Sequence, residues 1–253
     1  MTEAVPALPK GFRLHHFETL GSTNDEAKAL ARAGAPEGTL VWADTQTAGR
    51  GRRGRTWLSP PGNLYLSLVL RPEGAPSYAA QLGFVAALGL GDALAALAGP
   101  ALRLRYKWPN DLLLDGRKLA GILLESENAA SDRVDFVVAG IGVNIVAAPE
   151  DVEFPATSLA AEGVAGVTPA ALLGGFVRHF QTWAGRWREA GFAPVRAAWL
   201  ARASGLGEPV RVRLERGTLF GRFIDLDDDG ALVLEGEEGR RRIAAGEVFP
   251  ALG

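Results

Sequence analysis

The sequence predicts an α+β protein in which a larger domain of strands and helices precedes a small β-barrel. Strand patterns and helix patterns follow one another as far as about residue 205. From Glu208 onward, only short strands separated by glycine-containing turn signals remain. We therefore expect two domains, residues 1–207 and 208–253.

The elements of the first domain are predicted from hydrophobic periodicity and from the residues that begin or end each segment. Hydroxyl and amide side chains from Ser22 to Asn24 favour a helix start, and Gly34 favours its end. Further helices are expected over about 76–97, 168–191 and 194–203. Strands are expected at 39–45, 64–70 and 134–145, and the last is apolar enough for a central strand.

A hairpin is predicted around Asp115-Gly116, which is a favoured two-residue turn between apolar strands. With that turn, Leu113 faces Lys118 and Asp111 faces Ala120. Strict alternation then places Lys118, Leu113 and Asp111 on one face of the sheet, with Asp111 and Lys118 in reach of a shared ligand.

The composition excludes several classes of function. None of the 253 residues is cysteine, so there is no disulfide framework, thiolate nucleophile or cysteine metal site. A net charge of −2 with interspersed signs gives no general attraction to nucleic acid or anionic lipid. The N-terminus lacks a signal-peptide pattern, and the apolar stretch from Phe84 to Leu97 contains Asp92. We expect a cytoplasmic protein that binds neither membrane nor nucleic acid.

A glycine- and arginine-rich loop, GRGRRGRTW at 49–57, separates two predicted strands. It satisfies the dinucleotide pattern G-x-G-x-x-G, but no helix opens on its third glycine and no acid follows about twenty residues later. A solvated basic loop would explain neither the three glycines nor the spacing of the arginines. We interpret the loop as a binding site for anionic oxygens such as phosphate and carboxylate.

Two lysines stand out because the chain uses arginine almost everywhere. Only four of the 27 basic residues are lysines, and Lys107 and Lys118 fall within twelve positions of each other. Lys107 opens the segment KWPND, in which Pro109 favours an extended Trp108 and a defined loop. The alternative interpretation is that KWPND is only the polar start of a strand. Lys118 argues against it, because Lys118 lies among apolar strand residues, where a lysine costs free energy unless an anion pairs with it.

These segments together resemble the biotin protein ligases, over about residues 15–253. The motifs of that family stand in order: STN at 22–24, the loop at 49–57, KWPND at 107–111, RKLAGIL at 117–123 and GIGVNI at 140–145. The resemblance implies a mixed-sheet catalytic domain of the biotin/lipoate ligase type and a C-terminal SH3-like β-barrel. It also implies ATP-dependent biotinylation, through biotinyl-5′-AMP, of a lysine on a biotin carboxyl carrier protein.

By the same resemblance, the two substrates, biotin and ATP, share one site. Ser22, Thr23 and Gln46 would bind the ureido ring, Arg50, Gly51 and Arg52 would close over the carboxylate, and Trp57 would stack on adenine. The implied biotin-binding set is Ser22, Thr23, Asn24, Gln46, Gly49, Arg50, Gly51, Arg52 and Lys118. The implied ATP-binding set is Arg52, Arg55, Trp57, Lys107, Asn110, Asp111, Lys118 and Asn144.

Lys118, Arg52 and Asp111 are the implied catalytic residues, and Mg²⁺ would be carried mainly by the ATP phosphates, near Asn144. Family members that repress transcription carry an N-terminal helix-turn-helix, for which STN at residue 22 leaves no room, so we expect no operator binding. Dimerisation is common in the family, so a homodimer is compatible with the resemblance. Two alternatives stay open: a lipoate ligase of the same superfamily, and a non-catalytic RNA-binding protein that uses GRGRRGR as a basic arm.

Overall fold

A seven-stranded mixed sheet forms the centre of the first domain in the computed structural model, which describes residues 6–73, 76–99, 102–128, 134–150 and 152–251. The predicted domain limits at residues 1 and 253 lie outside these ranges. The strands and helices of this domain are β1 Arg13–Leu20, α1 Thr23–Arg32, β2 Thr39–Gln46, β3 Leu64–Leu70, α2 Pro76–Ala98, β4 Leu104–Lys107, β5 Asp111–Leu114, β6 Arg117–Asn128, β7 Val134–Val143, α3 Pro169–Ala190 and α4 Ala193–Leu200.

The strand order is β1-β2-β3-β7-β6-β5-β4, so β7 lies in the middle of the sheet as its apolar sequence predicts. Only β1 and β2 run parallel; the other neighbours are antiparallel. The glycine-rich loop connects β2 to β3 and contains a short 3-10 turn at Arg52–Gly54 inside a β-bridge between Arg50 and Thr56. It therefore emerges at one end of two adjacent strands, directly above the sheet.

The predicted single hairpin is a three-stranded meander, because β4 pairs with β5 as well as β5 with β6. Leu113 faces Lys118 as predicted, but Asp111 faces Gly121 rather than Ala120. The register shifts because β6 carries a bulge that inserts one extra residue at this point. The bulge also breaks the strict alternation, so Lys118 and Gly121, three positions apart, project to the same face.

Helices cover both faces of the sheet. On one face, α1 packs against a small cluster that contains Val41, Val69 and Phe136. On the other, α2 and α3 cover the main core, where Phe176, Phe180 and Trp183 of α3 are buried as their helical spacing predicts. The stretch Tyr78–Ala98 of α2 is long and apolar enough to cross a membrane, but 67% of its window is buried, as in a core helix.

The ends of α1 partly follow the prediction. Ser22 occupies the N-cap position, but its side chain makes no capping hydrogen bond. At the other end Gly34 adopts φ +89°, and its N–H donates to the carbonyl of Ala31. The hydroxyl of Ser22, which the sequence predicts as a cap, is thus left available to the cavity described below.

The second domain is a five-stranded antiparallel sheet, as expected for an SH3-like fold, in the order β11-β10-β9-β8-β12. Its strands are β8 Pro209–Arg213, β9 Thr218–Leu226, β10 Leu232–Gly236, β11 Gly239–Ile243 and β12 Glu247–Pro250. The turn between β9 and β10 docks on the first domain. There the indole of Trp108 donates to the carbonyl of Gly230 (3.0 Å), and Gly230 lies against the ring of Phe84.

We predict that Gly230→Ala lowers the free energy of unfolding by about 2 to 4 kcal/mol, because the methyl group would strain a left-handed residue and overlap the ring of Phe84. A Cβ at this position would lie 2.5 Å from that ring, with φ at +84°. Gly217→Ala is the matched control, since Gly217 has φ +89° and no atom within 4 Å of the new Cβ. Urea denaturation should show a clearly smaller loss for the control. Equal losses would contradict the tight docking of this turn.

Candidate functional site

A cavity of about 350 Å³ lies above the sheet, between the glycine-rich loop and the second domain. A volume of this size lies in the range of small-molecule sites. The cavity takes its walls from the loop after β2, the turn between β4 and β5, strands β6 and β7, residues 149, 152–154 and 156, and strand β12. The predicted site residues that line it are Ser22, Thr23, Asn24, Gln46, Arg50, Gly51, Arg52, Arg55, Trp57, Lys107, Asn110, Asp111, Lys118 and Asn144.

One end of the cavity is a hydrogen-bonded wall of neutral side chains. The backbone N–H and the hydroxyl of Thr23 both donate to Gln46 Oε1 (2.8 and 3.1 Å). The Ser67 hydroxyl contacts both Thr23 Oγ1 and Asn24 Oδ1 (2.8 and 2.6 Å). The start of α1 is thereby fixed against β2 and β3, and its polar atoms have defined directions.

An ionic network continues this wall outward. Asn24 Nδ2 donates to Glu125 (2.7 Å), and Lys28 pairs with the same carboxylate at 2.9 Å. Burial alone would raise the pKa of Glu125, but the hydrogen bonds from Asn24 and Lys28 outweigh it and lower the pKa. Arg50 of the loop pairs with Asp25 through both guanidinium nitrogens (2.8 and 2.6 Å). Arg50 lines the cavity, but its charge is directed at α1.

The floor of the cavity consists of strand glycines covered by an indole ring. A Cβ at Gly142 would lie 2.5 Å from the ring of Trp57, and one at Gly121 would lie 3.1 Å from it. Only glycine therefore lets Trp57 approach the sheet this closely. Its indole N–H is buried without a hydrogen-bond partner within the described parts of the chain. The ring of Trp57 and the two strand glycines form a flat apolar slot beside the polar wall.

At the opposite end of the cavity, two lysines lie close to the carboxylate of Asp111. Lys118 Nζ lies 2.6 Å from Asp111 Oδ1, and Lys107 Nζ lies 3.7 Å from Oδ2. Burial lowers the pKa of Lys107, whose ammonium also lies 4.0 Å from the centre of the Phe154 ring. Asp111 and Lys118 meet as the sequence predicts, although the register that brings them together is different.

Arg52 adds a further cation at this end. Its guanidinium donates to Asn110 Oδ1 (3.4 Å) and to the carbonyl of Gly246 (3.3 Å). Burial lowers the pKa of Arg52, although the negative charge of Asp111 acts against that effect. Asp111 and Glu247 both act on Arg52 and Lys107. The cations at this end (Arg52, Arg55, Lys107 and Lys118) still outnumber the lining carboxylates (Asp111, Glu153 and Glu247), so this part of the cavity carries a net positive charge.

The second domain holds the glycine-rich loop from above. Arg55 pairs with Glu247 of β12 at 2.6 Å, and Arg213 of β8 pairs with the same carboxylate. Burial would raise the pKa of Glu247, but hydrogen bonds from the two arginines outweigh it and lower the pKa to about 2. The sequence could not reveal this contact, because a single acid at the start of a strand carries no signal for a loop 192 residues away.

The remaining predicted residues have mainly structural contacts. Asn144 is buried, and its amide donates to the carbonyl of Thr157 (3.1 Å) while it lines the cavity. Gly49 lies outside the cavity lining: a Cβ there would lie 2.6 Å from the carbonyl of Trp57, so Gly49 allows the loop to close on itself. The lining residues that lie outside the predicted motifs and site residues are Leu58, Pro149, Val152, Glu153, Phe154, Ala156, Glu247 and Phe249.

With this geometry in view, two family models match the chain. The model for the "Biotin/lipoate A/B protein ligase family" covers residues 8–201, and that for the "Biotin protein ligase C terminal domain" covers 205–249. The chain belongs to the biotin/lipoate A/B protein ligase family. The first match ends at residue 201 and the second begins at residue 205, and the predicted boundary at 207 stays a prediction.

Curated relatives and solved structures agree with this membership. A biotin--[acetyl-CoA-carboxylase] ligase of Paracoccus denitrificans is 48% identical over 233 residues, which cover 90% of this chain and 96% of that protein. The ligase of the same name from Mycobacterium tuberculosis is 37% identical and covers 90% of this chain and 85% of its own length. The biotin protein ligase of Aquifex aeolicus in complex with biotin and ATP superposes with a TM-score of 0.80 at 28% identity, covering 94% and 97% of the two chains.

Because the pKa of Glu247 is low, its ion pair with Arg55 of the loop should make the stability of the fold depend on pH in the acid range. Its folded pKa of about 2 lies below the ordinary value of 4.5, so its contribution to stability is present above pH 4.5 and is lost as the pH falls toward 2. We predict that Glu247→Gln lowers the free energy of unfolding at neutral pH, and that the difference from wild type shrinks across that interval. Chemical denaturation at a series of pH values measures both effects.

Glu238→Gln is the matched control, because exposed Glu238 pairs only with the exposed Arg241 in the described chain. This variant should differ little from wild type at any pH. A difference for Glu247→Gln that stayed constant down to pH 2 would show that the carboxylate does not hold the loop by its charge.

Proposed function

We propose that this chain activates biotin with ATP to form biotinyl-5′-AMP and transfers the biotinyl group to a lysine on a biotin carboxyl carrier protein. The observation that carries this proposal is that one cavity joins a neutral hydrogen-bonding wall to a cationic end. The first suits the uncharged ureido head of biotin. The second suits a carboxylate and a triphosphate that must lie side by side.

The first step requires two anions to meet. A biotin carboxylate oxygen attacks the α-phosphorus of ATP, a P–O bond forms, and pyrophosphate leaves with the electron pair of the broken P–O bond. Fixed cations offset the repulsion between the two anions and hold them in line. We assign this role to Lys118, Arg52 and Lys107, which line the cationic end of the cavity, and no nucleophile from the protein enters this step.

The second step requires the intermediate to survive. The lysine amine of the carrier attacks the carbonyl carbon of the mixed anhydride, an amide bond forms, and AMP leaves while the amine loses a proton. Water would destroy the same anhydride, so a covering loop protects it until the carrier arrives. The glycine-rich loop, held through Arg50 at one side and Arg55 at the other, is in position to do this.

The residue roles follow from these positions. Ser22, Thr23 and Gln46 are assigned to the ureido head, and Asn24 supports them. Lys118 and Arg52 are assigned to the biotin carboxylate and the α-phosphate, because Arg50 is already paired with Asp25. Trp57 remains assigned to the adenine. Its ring packs against Gly121 and Gly142 at the floor of the cavity.

Mg²⁺ would be held mainly by the nucleotide. Among the residues that the structure describes, no group of three His, Cys, Asp or Glu side chains is placed to hold a metal ion. Mg²⁺ in nucleotide sites commonly uses phosphate oxygens, water and one or two side-chain ligands. Asp111 and Asn144 have the oxygen ligands that fit, and Mg²⁺ would supply further neutralisation of phosphate charge. A homodimer and a cytoplasmic location, with no binding of nucleic acid or membrane, stay predictions.

The direct test measures pyrophosphate release from ATP with biotin and, separately, with lipoate. The proposal predicts release that depends on biotin, and calorimetric binding of biotin but not of lipoate. Release that depends on lipoate alone would assign the chain to the other branch of its family. Steeply salt-dependent RNA binding without any pyrophosphate release would favour the RNA-binding alternative.

We predict that Lys118→Ala reduces the rate of biotin-dependent pyrophosphate release by at least about 100-fold, because it removes the ammonium assigned to the biotin carboxylate and the α-phosphate. The fold should persist, since Asp111 keeps Lys107 nearby. Arg117→Ala is the control: Arg117 is the neighbouring residue of β6, but it pairs with Glu162 and lies outside the cavity lining. Near-normal turnover of Lys118→Ala would remove the assignment.

We predict that Arg52→Ala increases escape of the intermediate, because the loop loses its contacts with Asn110 and Gly246. Bystander proteins such as serum albumin should then be biotinylated on surface lysines several-fold faster than with wild type. Arg53→Ala is the control, because Arg53 belongs to the same loop but is exposed and lies outside the cavity lining. Labelling confined to the carrier in Arg52→Ala would contradict the role of the loop in retention.

A further inference from the structure

The loop arginine nearest the biotin wall is bound to a helix rather than left free. Arg50 and Asp25 form a bidentate pair, with both guanidinium terminal nitrogens on the two carboxylate oxygens (2.8 and 2.6 Å). Arg50 lies in the glycine-rich loop, whereas Asp25 lies in the first turn of α1, directly after Ser22, Thr23 and Asn24. The pair therefore connects the loop to the element that carries the neutral wall.

A second layer of charge holds this pair in place. Lys28 lies 3.1 Å from Asp25 and 2.9 Å from Glu125, and Arg50 also approaches Glu125 at 3.6 Å. Two acids thus alternate with two bases, and Asn24 ties Glu125 back to the wall (2.7 Å). The charges of this network balance, and the guanidinium of Arg50 is one of its members.

The loop between its two anchors is a small closed unit. Arg50 and Thr56 form a β-bridge, and the N–H of Gly51 donates to the carbonyl of Arg55 (2.7 Å). Arg55 then pairs with Glu247, on the far side of the cavity. The near side of this unit has no other ion pair with the first domain among the described residues. Loss of the contacts at Arg50 would leave the near side of the loop without an ion pair to the first domain, among the described residues.

We propose that Asp25 is a positioning residue for the reaction: it holds the guanidinium of Arg50 on α1, fixes the near side of the loop over the biotin head, and slows release of the activated intermediate. This inference rests on the proposed function and adds a residue to it. Asp25 touches no substrate in this role. It acts on retention, whereas Lys118 and its neighbours act on the chemical step.

The size of the expected effect follows from exposure. The side chains of Arg50 and Asp25 are 38% and 50% exposed, and single exposed ion pairs contribute little. Bidentate geometry and the partly buried partners Lys28 and Glu125 strengthen this one. We therefore expect changes of about 3- to 10-fold in loop opening and in release of the intermediate, rather than loss of activity.

Loop opening is measured by tryptic cleavage within 50–55 of the ligand-free protein, with the cut sites identified by mass spectrometry. Asp25→Asn should be cleaved about 3- to 10-fold faster than wild type, and Asp25→Glu should recover most of the protection. Glu26→Gln is the matched control, because Glu26 also lies in the first turn of α1 but forms no ion pair among the described residues. Equal acceleration in Glu26→Gln would assign the effect to the helix dipole and overturn the proposal.

A second measurement separates retention from chemistry. In Asp25→Asn, the KM for biotin and the dissociation rate of preformed biotinyl-5′-AMP should rise together, with a much smaller change in kcat for pyrophosphate release. The double variant Asp25→Asn, Arg50→Gln should release the intermediate no faster than Arg50→Gln alone, because both changes remove the same contact between Arg50 and Asp25. Additive acceleration in the double variant would overturn the proposal.

The two levels of inference fail in different ways. If wild type shows no biotin-dependent pyrophosphate release, the proposed function fails. If wild type is active but Asp25→Asn matches it in cleavage and in dissociation of the intermediate, only the role of Asp25 fails.

Discussion

The mutual repulsion of cations around one cavity is the constraint on which the rest of this structure depends. Arg52, Lys107 and Lys118 converge there, and like charges brought together away from water cost several kcal/mol by rough estimate. Asp111 offsets part of this cost through Lys118 and Lys107, while Asn110 and a carbonyl of the second domain receive Arg52. The offset is incomplete, so the cavity keeps a net positive charge, which suits the two anions of the proposed reaction.

The sheet provides a floor against which this charge can act. Glycines on β6 and β7 remove side chains from the face below the cavity, so the ring of Trp57 rests on backbone. A bulge in β6 turns Lys118 to the same face as Gly121, which brings the ammonium to the edge of the apolar slot (5.3 Å from the Trp57 ring). Apolar contact and charge are therefore adjacent, as a ligand with an apolar body and an acidic tail requires. A regular strand would have directed Lys118 and Gly121 to opposite faces.

The glycine-rich loop is held by both domains, and this connects the small domain to the chemistry. Arg55 reaches Glu247 of β12, and the turn at Gly230 docks on Trp108, directly before the turn that carries Asn110 and Asp111. The second domain thus contacts both structures that surround the cationic end. Any movement of this domain would change the loop and the β4–β5 turn together. On the other side, Arg50 connects the loop to α1 and to the neutral wall.

The sequence by itself determined most element types, although not β1, together with the central position of β7, the Asp115-Gly116 turn and many of the polar lining residues, because periodicity, turn chemistry and clustered motifs are local signals. It predicted that Asp111 and Lys118 lie close together, but not the bulge in β6 that sets their register. One extra residue in a strand cannot be recognised in a run of apolar residues. Only the tertiary structure decided which partner each arginine takes. Arg50 binds Asp25 and Arg55 binds Glu247 because folding brings together groups far apart in the chain. A long charged side chain pairs with whichever opposite charge the fold brings within reach. The distance between two groups in the folded protein cannot be derived from their spacing in the sequence.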